Sequence, residues 1–161
     1  MKTLIIGANG FTGRRILQSL SRQGIYELTG CSLHEDILPG NNYRFVQADM
    51  NNHSAIDRLI AEIRPDVALN GSALSVPDYC ESHHEEAYAA NVLAVENIAR
   101  CCEKAGSRFI HLSTDFVFDG KKAELYTETD TPAPVNYYGI SKYQGEQAVA
   151  ANCSNYANVR V

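Results

Sequence analysis

The sequence lacks the features that mark several classes of protein. Basic residues are few, with 14 Lys and Arg against 19 Asp and Glu and a formal net charge of -5. They form no block longer than the pairs Arg14-Arg15 and Lys121-Lys122. Binding to nucleic acid or to an anionic membrane surface needs a basic patch, so neither partner is expected. No apolar run approaches the roughly 18 residues that a membrane-spanning helix needs.

Cysteine pairing and metal ligation are also poorly represented. The five cysteines are an odd number and include no C-x-x-C spacing, which favours reduced thiols over a disulfide framework. The apolar run near Met1 is too short for the core of a signal peptide. The polar segment 80–86 contains two histidines but has no second Cys/His pair at zinc spacing. We therefore expect a soluble, cytoplasmic protein without a metal site.

Short β-rich runs alternate with longer helical patterns from one end of the chain to the other. This alternation is typical of βαβ units around a parallel sheet. The 161 residues, 45% of them hydrophobic, are enough for one compact domain. The prediction is an α/β fold, a doubly wound parallel sheet of the NAD(P)-binding Rossmann-like type in three α/β/α layers. The predicted strands cover residues 3–6, 26–31, 43–47, 67–70, 108–112 and 157–161, the last helices cover about 85–104 and 136–151, and a long loop covers 119–135.

A glycine-rich segment follows the first predicted strand and opens the first helix. Its spacing is G-x-x-G-x-x-G, with Gly7, Gly10 and Gly13. In dinucleotide-binding folds such glycines permit a tight turn, close approach of the backbone to a pyrophosphate, and close packing of helix on sheet. The helix N-terminus adds unpaired N–H groups and a partial positive charge. The segment predicts a dinucleotide site, and the alternative is a βα turn that binds nothing.

The end of the second predicted strand bears on the choice of cofactor. An acidic residue there would bind the ribose 2'-hydroxyl of NAD. This chain has Ser32 and no carboxylate before Glu35. A serine does not repel a 2'-phosphate, and Arg14 or His34 could attract one. The pattern favours NADP(H), with NAD(H) as the alternative.

Tyr138 and Lys142 are four residues apart and therefore share one face of a predicted helix. An ammonium beside a phenol lowers its pKa towards neutrality, which suits a tyrosine to proton transfer. Ser113 and Thr114 end the fifth predicted strand, at the edge where α/β sheets bind ligands. Either hydroxyl could hydrogen-bond a substrate carbonyl and hold it beside the phenol.

Together these motifs resemble the extended short-chain dehydrogenase/reductases, most closely the branch of the dTDP-4-dehydrorhamnose reductases. The resemblance implies hydride transfer from NAD(P)H to the 4-keto group of a dTDP-6-deoxyhexose, with a nucleotide sugar as substrate. The segments that carry it are residues 7–13, Asp49-Met50, residues 70–75, Asn91-Val92, S-T-D-F-V-F-D-G from Ser113, Tyr126-x-Glu128, and Y-G-x-S-K-x-x-G-E from Tyr138.

The resemblance also implies roles for single residues. Tyr138 would donate the proton, Lys142 would tune its pKa and bind ribose, and Thr114 would polarise the substrate carbonyl. Thr114 and Asp115 would contact the sugar nucleotide. The implied cofactor-binding residues are Gly7, Gly10, Phe11, Thr12, Gly13, Ser32, Asp49, Met50, Ala73, Leu74, Ser75, Asn91, Tyr138 and Lys142.

Two departures from the family pattern qualify these expectations. Ser32 stands where many relatives carry Asp, and Arg15 stands where relatives with a magnesium-linked dimer carry an acid. We therefore expect no metal at a dimer interface and leave a homodimer open. Residues 1–161 are expected to form the Rossmann domain without the family's further substrate-binding region, so that this chain alone would be inactive. The alternatives are an NAD-dependent sugar-nucleotide epimerase or dehydratase, and a non-catalytic dinucleotide-binding subunit like the β subunit of methionine adenosyltransferase.

Overall fold

A computed structural model of the protein describes residues 1–38 and 42–161. Within these residues, six strands form one parallel sheet in the order β3-β2-β1-β4-β5-β6. The strand order reverses after β3, so the switch point, where doubly wound sheets bind ligands, lies between β1 and β4. The predicted fold class is confirmed. The strands are β1 (Lys2–Ile6), β2 (Glu27–Ser32), β3 (Arg44–Gln47), β4 (Val67–Asn70), β5 (Arg108–Ser113) and β6 (Tyr156–Arg160).

The helices begin and end at residues suited to those positions. Gly24 and Gly106 end their helices in the left-handed conformation, as glycine at this position commonly does. The side chains of Asn52 and Asn136 cap helix N-termini by accepting hydrogen bonds from backbone N–H groups. The helices are α1 (Phe11–Gln23), α2 (His53–Ile63), α3 (Pro77–Ser82), α4 (His84–Tyr88), a π-helical turn (Ala89–Leu93), α5 (Ala94–Ala105), a 3-10 turn (Asp115–Val117) and α6 (Tyr137–Asn152).

Both faces of the sheet are covered, which explains the continuous apolar run of β1. Leu4 and Ile6 belong to the core formed with α2, α5 and α6. Ile5 points to the opposite face, where it packs in the core that includes Leu17 of α1. A strand buried on both sides has no polar alternation, as expected for a parallel sheet. The result is three layers, with β1 at the centre.

The segment between β4 and β5 departs from the single long helix that the sequence predicts. It begins with the short α3, whose first residue Pro77 suits a helix start because its missing N–H leaves no donor unsatisfied. The later helical segment is interrupted by the π-helical turn, where the carbonyl of Asn91 lies so close to Gly145 of α6 that any Cβ there would collide with it. The predicted loop 119–135 contains neither helix nor strand, as expected.

Candidate functional site

The glycine segment forms a tight turn anchored at the carboxyl end of the sheet. The N–H groups of Gly7 and Ala8 both donate to the carbonyl of Cys31 at the end of β2, at 2.9 and 3.0 Å. Gly7 has a φ of 82°, and a Cβ there would lie 2.7 Å from the backbone nitrogen of Ser72. Only glycine therefore fits at this position. A Cβ at Gly13 would collide with the carbonyl of Gly7, so α1 begins in direct contact with the turn.

The N-terminus of α1 is open to an anion. In the part of the chain that the structure describes, no side chain caps this end, and its first turn contains no acidic residue. Phe11 and Thr12 are exposed there. An uncapped helix N-terminus offers N–H groups and the positive end of the helix dipole to a phosphate.

Two adjoining cavities form a groove along the carboxyl edge of the sheet. The larger, of about 340 Å³, extends from the glycine turn to Tyr138 and Lys142. The smaller, of about 220 Å³, lies beside Asp49 and Met50 and shares Gly7 and other residues with the first. The predicted cofactor-binding residues that line the groove are Gly7, Gly10, Phe11, Thr12, Ser32, Asp49, Met50, Ala73, Leu74, Ser75, Tyr138 and Lys142.

Asn91, another predicted cofactor-binding residue, is fully buried behind the groove. Its side chain accepts from the N–H of Leu74 at 2.9 Å and donates to the carbonyl of the same residue at 3.0 Å. It also donates to the hydroxyl of Ser141 on α6 at 3.0 Å. Asn91 therefore fixes the wall of the groove against α6, and direct contact of its side chain with a cofactor stays a prediction.

Thr114 and Tyr138 lie side by side at the end of the groove. Thr114 follows β5 and caps the 3-10 turn, accepting from the N–H of Phe116 at 3.3 Å. Its hydroxyl lies near the half-buried Tyr138 side chain and acts to lower the pKa of that phenol. The ring of Phe116 packs edge-on against the phenol, with centroids 5.6 Å apart. The structure thus places two hydroxyls where a substrate carbonyl could meet both.

Asp115 faces a second opening beyond this pair of hydroxyls. The cavity there measures about 550 Å³ and is also lined by Phe118, Tyr126 and Glu128. The Thr114 hydroxyl lies 3.2 Å from the carboxylate of Asp115. Asp115 therefore connects the Thr114 hydroxyl to this second cavity.

The predicted effect of Lys142 on the pKa of Tyr138 stays a prediction. Burial raises the pKa of Tyr138 above its ordinary value, and the Thr114 hydroxyl opposes that change only in part. The Lys142 side chain points into the protein, where Nζ donates to the carbonyl of Leu112 at 2.7 Å. Two groups on the same helix face need not meet, because the lysine finds a nearer acceptor at the end of β5.

Lys142 itself is in an unusual environment for a lysine. It is 2% exposed, and burial lowers its pKa to about 8, although the charge of Glu146 opposes the change. His111 lies beside it, with Nε2 3.4 Å from Nζ. The sequence analysis missed His111. The available signal was the alternation of β5, which places Phe109, His111 and Ser113 on one face of an apolar strand.

Ser113 contributes an unsatisfied group to the groove. The residue is 4% exposed and lines the same cavity as Tyr138 and Lys142. Within residues 1–38 and 42–161, its hydroxyl oxygen has no hydrogen-bond partner. A buried polar group without a partner costs about 1–3 kcal/mol, so a ligand that bonds this hydroxyl would recover that cost.

The end of β2 lies against the glycine turn. Ser32 is half-buried and lines both cavities of the groove. The side chain of Asn9 donates to the carbonyls of His34 and Glu35, at 3.1 and 2.8 Å. These bonds hold the residues after β2 beside the turn, with Ser32 facing the groove.

Across residues 1–38 and 42–161, the acidic, cysteine and histidine side chains form no group of three or more that could hold a metal ion. The helices in those two ranges include none that is both long and apolar enough to cross a membrane.

Comparisons with known proteins agree with this geometry. The family described as the RmlD substrate binding domain matches residues 1–161. The chain is 35% identical over 160 residues to the dTDP-4-dehydrorhamnose reductase of Burkholderia thailandensis, a match that covers 99% of the chain and 49% of that protein. It is 33% identical over 160 residues to methionine adenosyltransferase 2 subunit beta of Rattus norvegicus, covering 99% of the chain and 46% of that protein. The chain thus spans about half the length of the curated relatives it matches.

A solved structure extends the comparison to three dimensions. The crystal structure of dTDP-4-dehydrorhamnose reductase from Bacillus anthracis, in complex with NADP, superposes with a TM-score of 0.85 at 30% identity. The match covers 99% of this chain and 52% of that one. The predicted resemblance to these reductases is confirmed, and the chain belongs to the RmlD substrate binding domain family.

Proposed function

We propose that residues 1–161 are the NAD(P)-binding domain of an NADP(H)-dependent reductase that acts on the 4-keto group of a dTDP-6-deoxyhexose. One observation carries the proposal. The groove that begins at the glycine turn ends at Tyr138, with the Thr114 hydroxyl beside the phenol and Lys142 in the same cavity. The relatives named as dTDP-4-dehydrorhamnose reductases support the substrate class. A cytoplasmic location belongs to the proposal and is supported by the five free, buried cysteines.

The residues of the groove fit a dinucleotide. A Cβ at Gly7 would collide with the backbone, so the turn keeps a cradle that side chains cannot fill. The glycine turn and the open end of α1 would hold the pyrophosphate, and Ser32 with Asp49 and Met50 would hold the adenosine end. The unsatisfied hydroxyl of Ser113 would bond the other end, beside Tyr138. When bound, the reduced nicotinamide would supply the hydride.

The side chains of the chain supply the remaining chemistry. Reduction of a ketone adds a hydride to the carbonyl carbon and a proton to the oxygen. Because burial raises its pKa, Tyr138 is a neutral phenol at pH 7 and can give its proton to the developing alkoxide. The Thr114 hydroxyl would hydrogen-bond the same oxygen and orient it, while Lys142 would bind ribose hydroxyls.

NADP(H) is the proposed cofactor, with NAD(H) as the weaker ligand. Ser32 brings no negative charge to the groove wall. Asn9 holds the backbone of His34 and Glu35 beside the glycine turn, so residues that follow β2 are near the site of a 2'-phosphate. The relative from Bacillus anthracis was crystallised with NADP. We expect NADP⁺ to bind more tightly than NAD⁺ in the same titration.

The test of the reaction is NADPH oxidation by the full-length gene product with dTDP-4-dehydro-rhamnose. Tyr138→Phe is expected to lower turnover by about 10²–10⁴-fold, the usual contribution of a general acid, and to leave NADP⁺ binding intact. Tyr156→Phe is the matched control, because Tyr156 lies on the exposed edge strand β6. Equal turnover by Tyr138→Phe and the wild type would refute the assigned proton donor.

A second candidate function has its own observation. Similarity to methionine adenosyltransferase 2 subunit beta is as extensive as similarity to the reductases, at 33% identity over 160 residues. On this alternative the protein binds NADP(H) as a regulatory subunit and performs no reduction. Tight NADPH binding by the full-length protein, without oxidation when the sugar nucleotide is added, would favour the regulatory function over the reductase.

A further inference from the structure

A row of hydrogen-bonding groups runs beneath the groove, from the loop after β4 to the end of β5. The N–H of Ser72 donates to Oδ1 of Asn70 at 3.0 Å. Nδ2 of Asn70 lies 3.3 Å from Nδ1 of His111, and Nε2 of His111 lies 3.4 Å from Nζ of Lys142. Nζ then donates to the carbonyl of Leu112 at 2.7 Å. The three side chains are each 2% exposed or less, so water cannot readily compensate a mismatched pair.

The first member of this row sets its direction. A backbone N–H can only donate, so the amide oxygen of Asn70 faces Ser72 and its NH₂ group faces His111. Nδ1 of His111 must therefore accept. A neutral imidazole with an accepting Nδ1 carries its proton on Nε2, and this proton points at Nζ of Lys142. An amine nitrogen with a free electron pair can accept it, whereas an ammonium cannot.

A protonated Lys142 creates a conflict in the same row. An ammonium would donate to Nε2, which would move the imidazole proton to Nδ1 and bring it against the NH₂ group of Asn70. Protonating both partners instead would place two positive charges 3.4 Å apart in a buried site. The ligand-free arrangement therefore matches donors to acceptors at every step only when Lys142 is neutral.

The charged groups near the row do not reverse the preference for a neutral Lys142. Glu146 favours the ammonium, but Arg160 of β6 holds its carboxylate with two bonds of 2.9 and 2.6 Å and offsets its charge. Burial lowers the pKa of Lys142 to about 8 and that of His111 well below its ordinary range. Tyr138 of α6 lines the same cavity as Lys142, Cys80 and Asp115 act on that tyrosine, and the uncharged Asn91 of the π-helical turn and Nε2 of His111 both lie near Gly145.

We propose that His111 is a positioning residue that favours the neutral amine of Lys142 in the ligand-free chain, so that dinucleotide binding at alkaline pH takes up a proton at Nζ. The proton comes from solvent and bonds to the nitrogen's electron pair. The resulting ammonium has three N–H groups, which is more than the acceptors of the row can bind. The N–H groups left over are available to ribose oxygens. The identity of the ligand rests on the proposed function, whereas the neutral amine does not.

The direct test is an NMR titration of the ligand-free chain labelled with ¹³C at lysine Cε. The chain has five lysines, and the signal that disappears in Lys142→Met identifies Lys142. We expect this signal to titrate with a pKa of about 8. In His111→Gln the amide oxygen can accept from an ammonium, so the pKa of Lys142 is expected to rise above that of the wild type, while burial keeps it below the ordinary lysine value. His53→Gln, a histidine change on α2, is the control and is expected to leave the signal unchanged.

A second variant tests the direction of the row with His111 in place. Asn70→Asp replaces the NH₂ group with an acceptor oxygen, so His111 carries its proton on Nδ1 and offers Nε2 to an ammonium. The pKa of Lys142 is again expected to rise, and the negative charge of the new carboxylate contributes to the rise. A Lys142 pKa near 10 in the wild type, or a pKa that neither variant changes, would overturn the proposal.

Proton uptake is measured by calorimetric titration with NADP⁺ at pH 9 in buffers of different ionisation enthalpy. We expect the wild type to take up close to one proton per site, and His111→Gln to take up less. Binding of NADP⁺ without proton uptake by the wild type would refute the coupling. Absence of NADP⁺ binding would refute the proposed function, while the titration of the ligand-free chain decides the neutral amine independently.

Discussion

Replacing Asn91 with alanine should weaken both the fold and the groove. The side chain makes three hydrogen bonds, two to the backbone of Leu74 and one to Ser141, and it is fully buried. Each partner of Asn91 left without its hydrogen bond in this buried site lowers the free energy of unfolding by about 1–3 kcal/mol. Because the backbone of Leu74 can relax in part, we expect a total loss near the lower end of the sum, about 3–4 kcal/mol. For a domain of this size, about 1 kcal/mol lowers Tm by roughly 2–4 °C. The expected decrease in Tm is therefore about 6–16 °C.

Asn97→Ala is the matched control for this change. Asn97 is a buried asparagine in the same helical segment, but its side chain donates to Asp57 at 2.8 Å, away from the groove. Both variants are compared by thermal unfolding and by calorimetric titration with NADP⁺ below the unfolding range. We expect both to lose stability, and only Asn91→Ala to lose NADP⁺ affinity, because Leu74 lines the groove. Unchanged stability of Asn91→Ala, or an equal loss of affinity in both variants, would refute the reasoning.

Three further predictions concern stability. Gly7→Ala should lower the free energy of unfolding by at least about 3 kcal/mol, because the new Cβ would collide with the backbone of Ser72 and the φ of this position is unfavourable for alanine. Gly24→Ala is the control and should lower it by about 1 kcal/mol, because a Cβ there has nothing within 4 Å. Equal losses of stability in denaturant unfolding would contradict this prediction. Glu146→Gln should lower the free energy of unfolding by about 1–3 kcal/mol, because it disrupts the two hydrogen bonds from Arg160. Glu62→Gln is the control and should change that free energy by less than about 0.5 kcal/mol, because Glu62 and Arg44 form an exposed pair. A similar effect of the two changes on chemical unfolding would be evidence against this prediction. Because the folded-state pKa of His111 is depressed, its contribution to stability is present above pH 6.5 and is lost as the pH falls below that value, so the Tm of His111→Gln should decline less between pH 7 and pH 5 than that of the wild type.

Much of the fold could be predicted because local signals and global packing agree. The apolar run of β1, the glycines at 24 and 106 and the capping Asn52 each act within a few residues, and each marks an element boundary in the structure. The π-helical turn could not be predicted in this way. It depends on close contact between Asn91 and Gly145, which are far apart in the sequence.

The candidate site divides in the same way. The glycine turn and the residues after β4 could be assigned to one groove because parallel strands bring their carboxyl ends to one edge. The environment of Lys142 could not be predicted in this way, because it depends on Asn70 of β4 and His111 of β5, which are distant in the sequence. Helix spacing alone also does not reveal the carbonyl of Leu112 as an acceptor for the Lys142 side chain.

Titration of the chain with NADP⁺ tests the central claim most directly, because the groove, the glycine turn and the assigned chemistry all depend on a bound dinucleotide. We expect saturable binding with one site per chain, tighter for NADP⁺ than for NAD⁺, and lost in a Gly10→Asp variant that brings a carboxylate to the proposed phosphate site. Absence of binding by the folded wild-type chain, or equal binding by Gly10→Asp, would contradict it.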